Sequence, residues 1–356
     1  MTSDPLPADR RPDGKPGRSG GQRGPSMADV ALEAGVSGQT VSRVANGRAN
    51  VDQATRQRVL EAMRTVGYRP NSAARALRYG QFRTIGVIMS TLSTFGNSRT
   101  LDAIASAAVA RGYSITLMPV VHPTQGEVTG AFSRLNEQAV DGVVILIEEH
   151  QFDQSEIELP DGLPVVIIDS NPRSDYTIVD NEQTAGAALA TTHLLELGHE
   201  TVWHIAGPRH SYAAERREKS WRATLEQAGK EVPPVLVGDW SSDSGYARGL
   251  ELCRDPAVTA VFAANDQMAL GLLRALHESG RSVPSDVSVV GFDDMAEAAY
   301  FWPPLTTVRQ SFADVGRRAV DALLAEITSG ERDTTPVSVP TTLVVRSSTA
   351  IRPSGG

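Results

Sequence analysis

Two hydrophobic rhythms divide the chain. Between residues 27 and 66 apolar positions recur at helical spacing, whereas beyond residue 83 they gather into short, nearly unbroken runs separated by amphipathic stretches. In "MADVALEA", Val30, Ala31 and Ala34 share one stripe, and Gly35 supplies a turn residue that tolerates positive φ. Ser37 is a good N-cap for a second helix, in which Val41 and Val44 face inward. Gln39, Ser42, Arg43 and Asn46 follow at i, i+3, i+4 and i+7 on the opposite side. "VDQATRQRVLEAMRTVGY" predicts a third helix with Asp52 as cap, Val59, Leu60, Met63 and Val66 as the buried stripe, and Gly67 as the stop. Two helices joined by a tight glycine-containing turn, the second with a hydrogen-bonding outer face, make a helix-turn-helix.

That outer face suits the DNA major groove: Gln pairs bidentately with adenine, Arg with guanine or phosphate, Ser and Asn with base edges or backbone. A solvated polar face would read the same way. In "YRPNSAARALRYG", Pro70 breaks the chain and Asn71 can cap a helix only about two turns long, which is marginal in water on its own. Asn71 to Leu77 is therefore expected to order only with support, such as a symmetry mate and DNA. Leu77 is then a candidate wedge between base steps in the minor groove, or else a side chain docked on the body.

The later runs, "TIGVIMS", "YSITLMPV", "DGVVILI", "LPVVIIDS", "TVWHIAG", "PPVLVGDW", "VTAVFAAND" and "VSVVGFDD", predict about eight strands in two doubly wound α/β subdomains. Ligands bind such sheets outside the carboxyl ends of their strands. Asp169, Trp240, Asn265 and Asp293 stand at four of those ends. Carboxylates and an amide around an indole are the chemistry of a sugar site, where paired hydroxyls take bidentate hydrogen bonds and the indole covers the C–H face of the ring. Each residue also has a plain reading: Asp169 and Asp293 as loop caps, Trp240 as core, and the neighbouring Asp266 as the cap of "QMALGLLRALHESG".

Charge sharpens the division. The net −8 conceals +6 over Met1–Gly80, with thirteen Arg and Lys against seven Asp and Glu, and hence −14 over the other 276 residues. A basic head on an acidic body points to a polyanionic partner for the head. A length of 356 residues implies two or three domains. One cysteine, Cys253, excludes a disulfide framework, no Cys/His cluster has metal-ligand spacing, and no cofactor is expected. The first 25 residues are rich in Pro, Gly and charge without a secretory apolar core, so they are expected to be a disordered leader on a cytoplasmic protein with no membrane span. No phosphate loop or nucleophile elbow is present, and His122, His150, His193, His199, His204, His210 and His277 have no partner motif, so an enzyme is not expected. The rivals are a glycoside-processing enzyme using Asp169 and Asp293, and a sugar-binding protein without a regulatory role.

"MADVALEAGVSGQTVSRVANG…VDQATRQRVLEAMRTVGYRPNSAARALR" resembles the DNA-binding head and hinge of LacI/GalR-family transcriptional repressors, and the likeness continues to about Thr342. The resemblance implies an α/β protein with an N-terminal helix-turn-helix head and a two-lobed, periplasmic-binding-protein-like body of doubly wound parallel sheets. It implies a helix-turn-helix domain over 26–70, hinge helix and linker over 71–80, and a ligand-binding and dimerisation domain over 81–352. The subdomains would be roughly 83–181 with 311–340, and 182–310 with 341–352. By the same resemblance Ser37, Gly38, Gln39, Thr40, Ser42, Arg43 and Asn46 fall on recognition-helix positions, with Asn71, Ala74 and Leu77 in the hinge. Gly38 departs from a large base-reading side chain in the family, which leaves the operator sequence open. "GDWSSDSG", "ANDQMALG" and "VVGFDD…PPLTTVRQSF" carry effector positions onto Asp169, Arg217, Trp240, Asn265, Asp293, Gln310 and Phe312, a set similar to a galactoside or related glycoside site. Leu146 in place of an amide, Ala213 in place of a hydroxyl, and Thr94 and Gly96 in the apolar wall leave the sugar open. The expected partners are operator DNA, a small sugar effector and a second copy of the chain; "STAIRPSGG" lacks the leucine heptads of a tetramerisation segment, so the expected assembly is a homodimer.

Overall fold

A computed structural model describes residues 24–46, 48, 50–68, 80–120, 124–147, 162–169 and 176–352. The leader up to residue 23 and the hinge residues Asn71, Ala74 and Leu77 lie outside them. The chain divides into two units, Met1–Gly80 and Gln81–Gly356.

In the first unit, α1 (Met27–Ala34) opens with a reciprocal cap between Ser26 and Asp29, and Gly35 ends it at φ 61°. α2 (Gly38–Ala45) is capped by Ser37, whose Oγ accepts from Thr40 N at 3.2 Å. α3 (Gln53–Thr65) is capped by Asp52, which accepts from the amides of Ala54 and Thr55. Val30, Ala34, Val41, Val44, Val59, Ala62 and Met63 form the small core. Leu60, placed in the buried stripe by its spacing, is instead 43% exposed, and Ala62 takes the inward position.

The second unit contains two six-stranded sheets. The first is built from β1 (Thr84–Met89), β2 (Ser114–Pro119), β3 (Gly142–Leu146), β4 (Val165–Ile168), β5 (Thr177–Asn181) and β11 (Val337–Val339), in the order β11-β5-β4-β3-β1-β2, all parallel. The second comprises β6 (Trp203–Ala206), β7 (Leu236–Val237), β8 (Ala260–Ala263), β9 (Ser288–Asp293), β10 (Thr306–Arg309) and β12 (Thr342–Val344), ordered β12-β10-β9-β8-β6-β7. Here β12 runs antiparallel to β10, the one exception to parallel pairing among the described strands.

Helices cover both faces of each sheet, which is why the strands read as continuous apolar runs. On the first sheet, α4 (Phe95–Ala110) and α10 (Phe312–Ser329) bury Ile104, Val315 and Leu323 against one face, while α5 (Gln125–Glu137) buries Phe132 and Leu135 against the other. On the second, α6 (Gln183–Glu196) and α7 (Tyr212–Gln227) pack Leu194 and Trp221 on one side. α8 (Ser242–Leu252) and α9 (Asp266–Glu278) pack Leu252, Met268 and Leu272 on the other. The chain passes between the sheets after β5, after β10 and between β11 and β12. The carboxyl ends of both sheets border one cleft.

Candidate functional site

On the head, the outer face of α2 presents Gln39 and Arg43 as exposed side chains one turn apart. Ser37 and Thr40 are tied into the helix cap, their hydroxyls 3.0 Å apart. Asn46 closes the other end, donating through Nδ2 to the Ser42 carbonyl at 2.6 Å and to Ser42 Oγ at 3.3 Å. Of the polar face read from the sequence, Gln39 and Arg43 therefore reach outward, and Ser42 and Asn46 hold the helix end. Gly38 has open space around its missing side chain.

The cleft between the two sheets of the second unit has about 550 Å³ of empty volume, open solvent at its mouth included. Asp169, Arg217, Trp240, Asn265, Asp293, Gln310 and Phe312 all line it. Their backbones are unusual. Asp169, Trp240 and Asp293 have φ of 57°, 74° and 114°, a region that L side chains rarely enter and that persists only where surrounding contacts hold it.

Four side chains close a polar ring. Arg217 Nε donates to Gln183 Oε1 at 2.8 Å, Gln183 Nε2 donates to Gln310 Oε1 at 3.1 Å, and Gln310 Nε2 donates to Asp293 Oδ1 at 2.6 Å. The ring closes where Arg217 Nη2 faces Asp293 Oδ1 at 3.9 Å. The guanidinium also lies 3.8 Å over the Phe292 ring and 5.4 Å from the centre of the Trp240 ring. Burial pushes the Asp293 carboxyl up to about 6, against the opposing pull of Arg217 and the Gln310 hydrogen bond.

Trp240 is fixed from two sides. Asn265 Nδ2 donates to its carbonyl at 3.0 Å, while Asn265 Oδ1 caps α9 by accepting from Met268 N at 2.8 Å. A side chain at Gly207 would collide with the Trp240 ring, its Cβ falling 2.3 Å from Cη2. The cap of α9 is thus Asn265, not Asp266. Asp266 is fully buried, accepting from Met295 N at 2.9 Å and from the Thr307 hydroxyl at 2.5 Å. Its carboxyl is pushed well above the usual range, first by burial and then by the charge of Asp293.

The cleft is also lined by residues that the sequence reading did not single out. Asp180 and Asn181 end β5, Phe95 meets Phe312 edge-on with centroids 5.7 Å apart, and Gln183 begins α6. Arg216, next to Arg217, reaches Asp180 and lies 4.0 Å from Asp169 Oδ1. Burial pushes the Asp169 carboxyl up, opposed by Arg216 and then Arg217. Buried oxygens of Thr94, Asp169, Asp180 and Asn181 have no hydrogen-bond partner among the described residues. These four oxygens belong to residues that line the same cleft as Trp240, and hydrogen-bond donors entering the cleft could satisfy them. Among the described residues no group of three or more His, Cys, Asp or Glu could hold a metal ion, and no helix is long and apolar enough to cross a membrane.

A DNA-reading head joined to a clefted, two-sheet body defines a ligand-responsive transcription regulator, and known proteins agree. Residues 26–71 match the model of bacterial regulatory proteins of the lacI family, and residues 191–349 match a periplasmic binding protein-like domain. The lactose operon repressor of Escherichia coli K12 is 34% identical over 91% of this chain and 90% of its own length. The transcriptional repressor PurR of Haemophilus influenzae is 31% identical over 91% and 98% respectively. A solved lac repressor dimer bound to operator and the anti-inducer ONPF superimposes with a TM-score of 0.81 at 33% identity, over 92% of this chain and all of that one. The complex of the transcriptional regulator CelR with cellobiose gives 0.69 at 33% identity, over 91% and 99%. The chain belongs to the lacI family of DNA-binding transcriptional repressors and carries the family's effector-binding domain.

Proposed function

We propose that this repressor is a homodimer whose operator affinity is set by a small carbohydrate, a galactoside or related glycoside, held between the two lobes. The observation that carries this reading is one cleft lined both by the Trp240 indole and by buried oxygens of Asp169, Asp180, Asn181 and Thr94 that have no hydrogen-bond partner among the described residues. Sugar hydroxyls donate to such acceptors while the indole covers the C–H face of the ring. Relatives of different names are about equally similar, and one of them, solved with cellobiose, supports a saccharide. Asp169, Arg217, Trp240, Asn265, Asp293, Gln310 and Phe312 form the site, with Asn265 and Gln310 positioning Trp240 and Asp293.

On the head, Gln39 and Arg43 read the major groove, Ser37, Gly38, Thr40, Ser42 and Asn46 frame the reading helix, and Asn71, Ala74 and Leu77 form the hinge at the minor groove. Two heads then bind a pseudo-palindromic site. The test is a thermal-shift panel of methyl galactosides, glucosides and xylosides, followed by gel retardation on a duplex that the protein itself selects from a random pool. A sugar that raises the unfolding temperature and alters retardation supports the reading. Retardation indifferent to every stabilising sugar would refute it, and turnover of a nitrophenyl glycoside would mark an enzyme instead.

A further inference from the structure

Arg216 and Arg217 are adjacent on α7, yet they do different work. Arg217 is spent within the ring of Gln183, Gln310 and Asp293. Arg216 crosses the cleft: its helix packs on the second sheet, while its ion-pair partners, Asp169 after β4 and Asp180 in β5, belong to the first. All three side chains are mostly buried, at 22%, 11% and 15% exposure. A pair so placed is screened far less than a surface pair, and its loss takes the ion pair from Asp180 and leaves Arg217 alone to oppose the burial of Asp169. Oδ1 of Asp180 and Oδ1 of Asp169, the latter 4.0 Å from Arg216 Nη1, are buried and have no hydrogen-bond partner among the described residues, and both residues line the cleft.

We propose that Arg216 is a positioning residue of the effector site, tying the two lobes together and holding the carboxylates of Asp169 and Asp180 where bound hydroxyls can donate to them. The ligand part of this inference rests on the carbohydrate reading above; the bridge between the lobes does not. A polyol thus meets acceptors assembled from one lobe by a cation on the other, so affinity depends on the angle between them. A phosphate group placed against these oxygens, bringing only acceptors and negative charge, is disfavoured.

The experiment compares Arg216→Met, Arg216→Lys and Asp180→Asn in the full chain. Interlobe distances are read by spin labels at Ser133→Cys and Ser279→Cys in a Cys253→Ser background, diluted with unlabelled protein. Affinity for methyl β-galactoside, methyl β-glucoside or methyl β-xyloside, whichever the parent binds, is read by calorimetry from pH 5 to 8. Arg216→Met should broaden the interlobe distances and weaken the glycoside about tenfold or more, with Arg216→Lys recovering most of both. Asp180→Asn should fall between.

The groups facing Asp169 are Arg216, Arg217 and, through Arg216, Asp180. Without Arg216, burial acts on Asp169 with less opposition, so glycoside affinity should be lost at a higher pH than in the parent. A purely structural role would weaken binding evenly across the pH range and would overturn the proposal. So would unchanged distances in Arg216→Met. If no glycoside binds the parent but Arg216→Met still loosens the lobes, the bridge stands and the carbohydrate reading falls.

Discussion

At the scale of single residues, Arg217 joins the most groups: it donates to Gln183 and to the Ala264 carbonyl, faces Asp293, and stacks on Phe292. Truncating it leaves the Asp293 carboxylate buried with only Gln310 in support. Arg217→Ala should therefore abolish the response to effector while operator affinity, measured by gel retardation, stays within about twofold, because no head residue is touched. A normal response in that variant would remove Arg217 from the site. Asp293 adds a pH dependence. Its folded-state value near 6 lies above the ordinary 3.8, so the carboxylate form that accepts hydroxyls is full at pH 8 and depleted below 6. Effector affinity should drop roughly tenfold between pH 8 and pH 5, and a flat calorimetric profile would contradict direct acceptance by Asp293.

At the scale of elements, β6 carries a buried titratable group. His204 stacks between Trp221 and Phe262, with centroids 5.2 Å and 4.7 Å away, and its Nδ1 donates to the Phe262 carbonyl at 2.8 Å. Burial lowers it from 6.5 to about 4. The neutral ring is thus favoured by folding; its contribution is full above pH 6.5 and lost as pH falls toward 4, where the unfolded chain alone takes the proton. Urea unfolding should show a loss of about 3 kcal/mol across that window beyond that of His204→Gln, and equal losses in the two proteins would refute the assignment. The hinge gives the second prediction at this scale. Leu77→Ala should weaken operator binding at least tenfold with effector titrations unchanged, and equal operator affinity would rule out a wedge in the minor groove.

These elements also show what the sequence could reveal. Eight strands were legible because they lie in short, mostly apolar runs, the central ones, such as β1, β3 and β4, buried on both faces. β5 and β10–β12, "TIVDN", "TTVR", "VSV" and "TLV", are short and partly polar, and so escaped notice. The unread β5 carries Asp180 and Asn181 into the cleft, and the start of α6 carries Gln183. Arg217 and Gln310 came only through the family resemblance, since nothing in helical or strand periodicity distinguishes Arg217 from Arg216. Asp266 was read as a cap because both it and Asn265 suit the position; only the packing of Thr307 and Met295 around its carboxylate decides between them.

At the scale of the whole molecule, the account links two remote sites through one equilibrium. On the proposed function, an effector held between the lobes favours one interlobe arrangement, and operator binding favours another. Such coupling is reciprocal by thermodynamic necessity. The most direct test titrates the best glycoside into the free repressor and into its operator complex by calorimetry, then measures operator affinity with and without saturating glycoside. The account predicts that both affinities change by the same factor, about 5- to 150-fold. Equal glycoside affinity for free and operator-bound protein would contradict it.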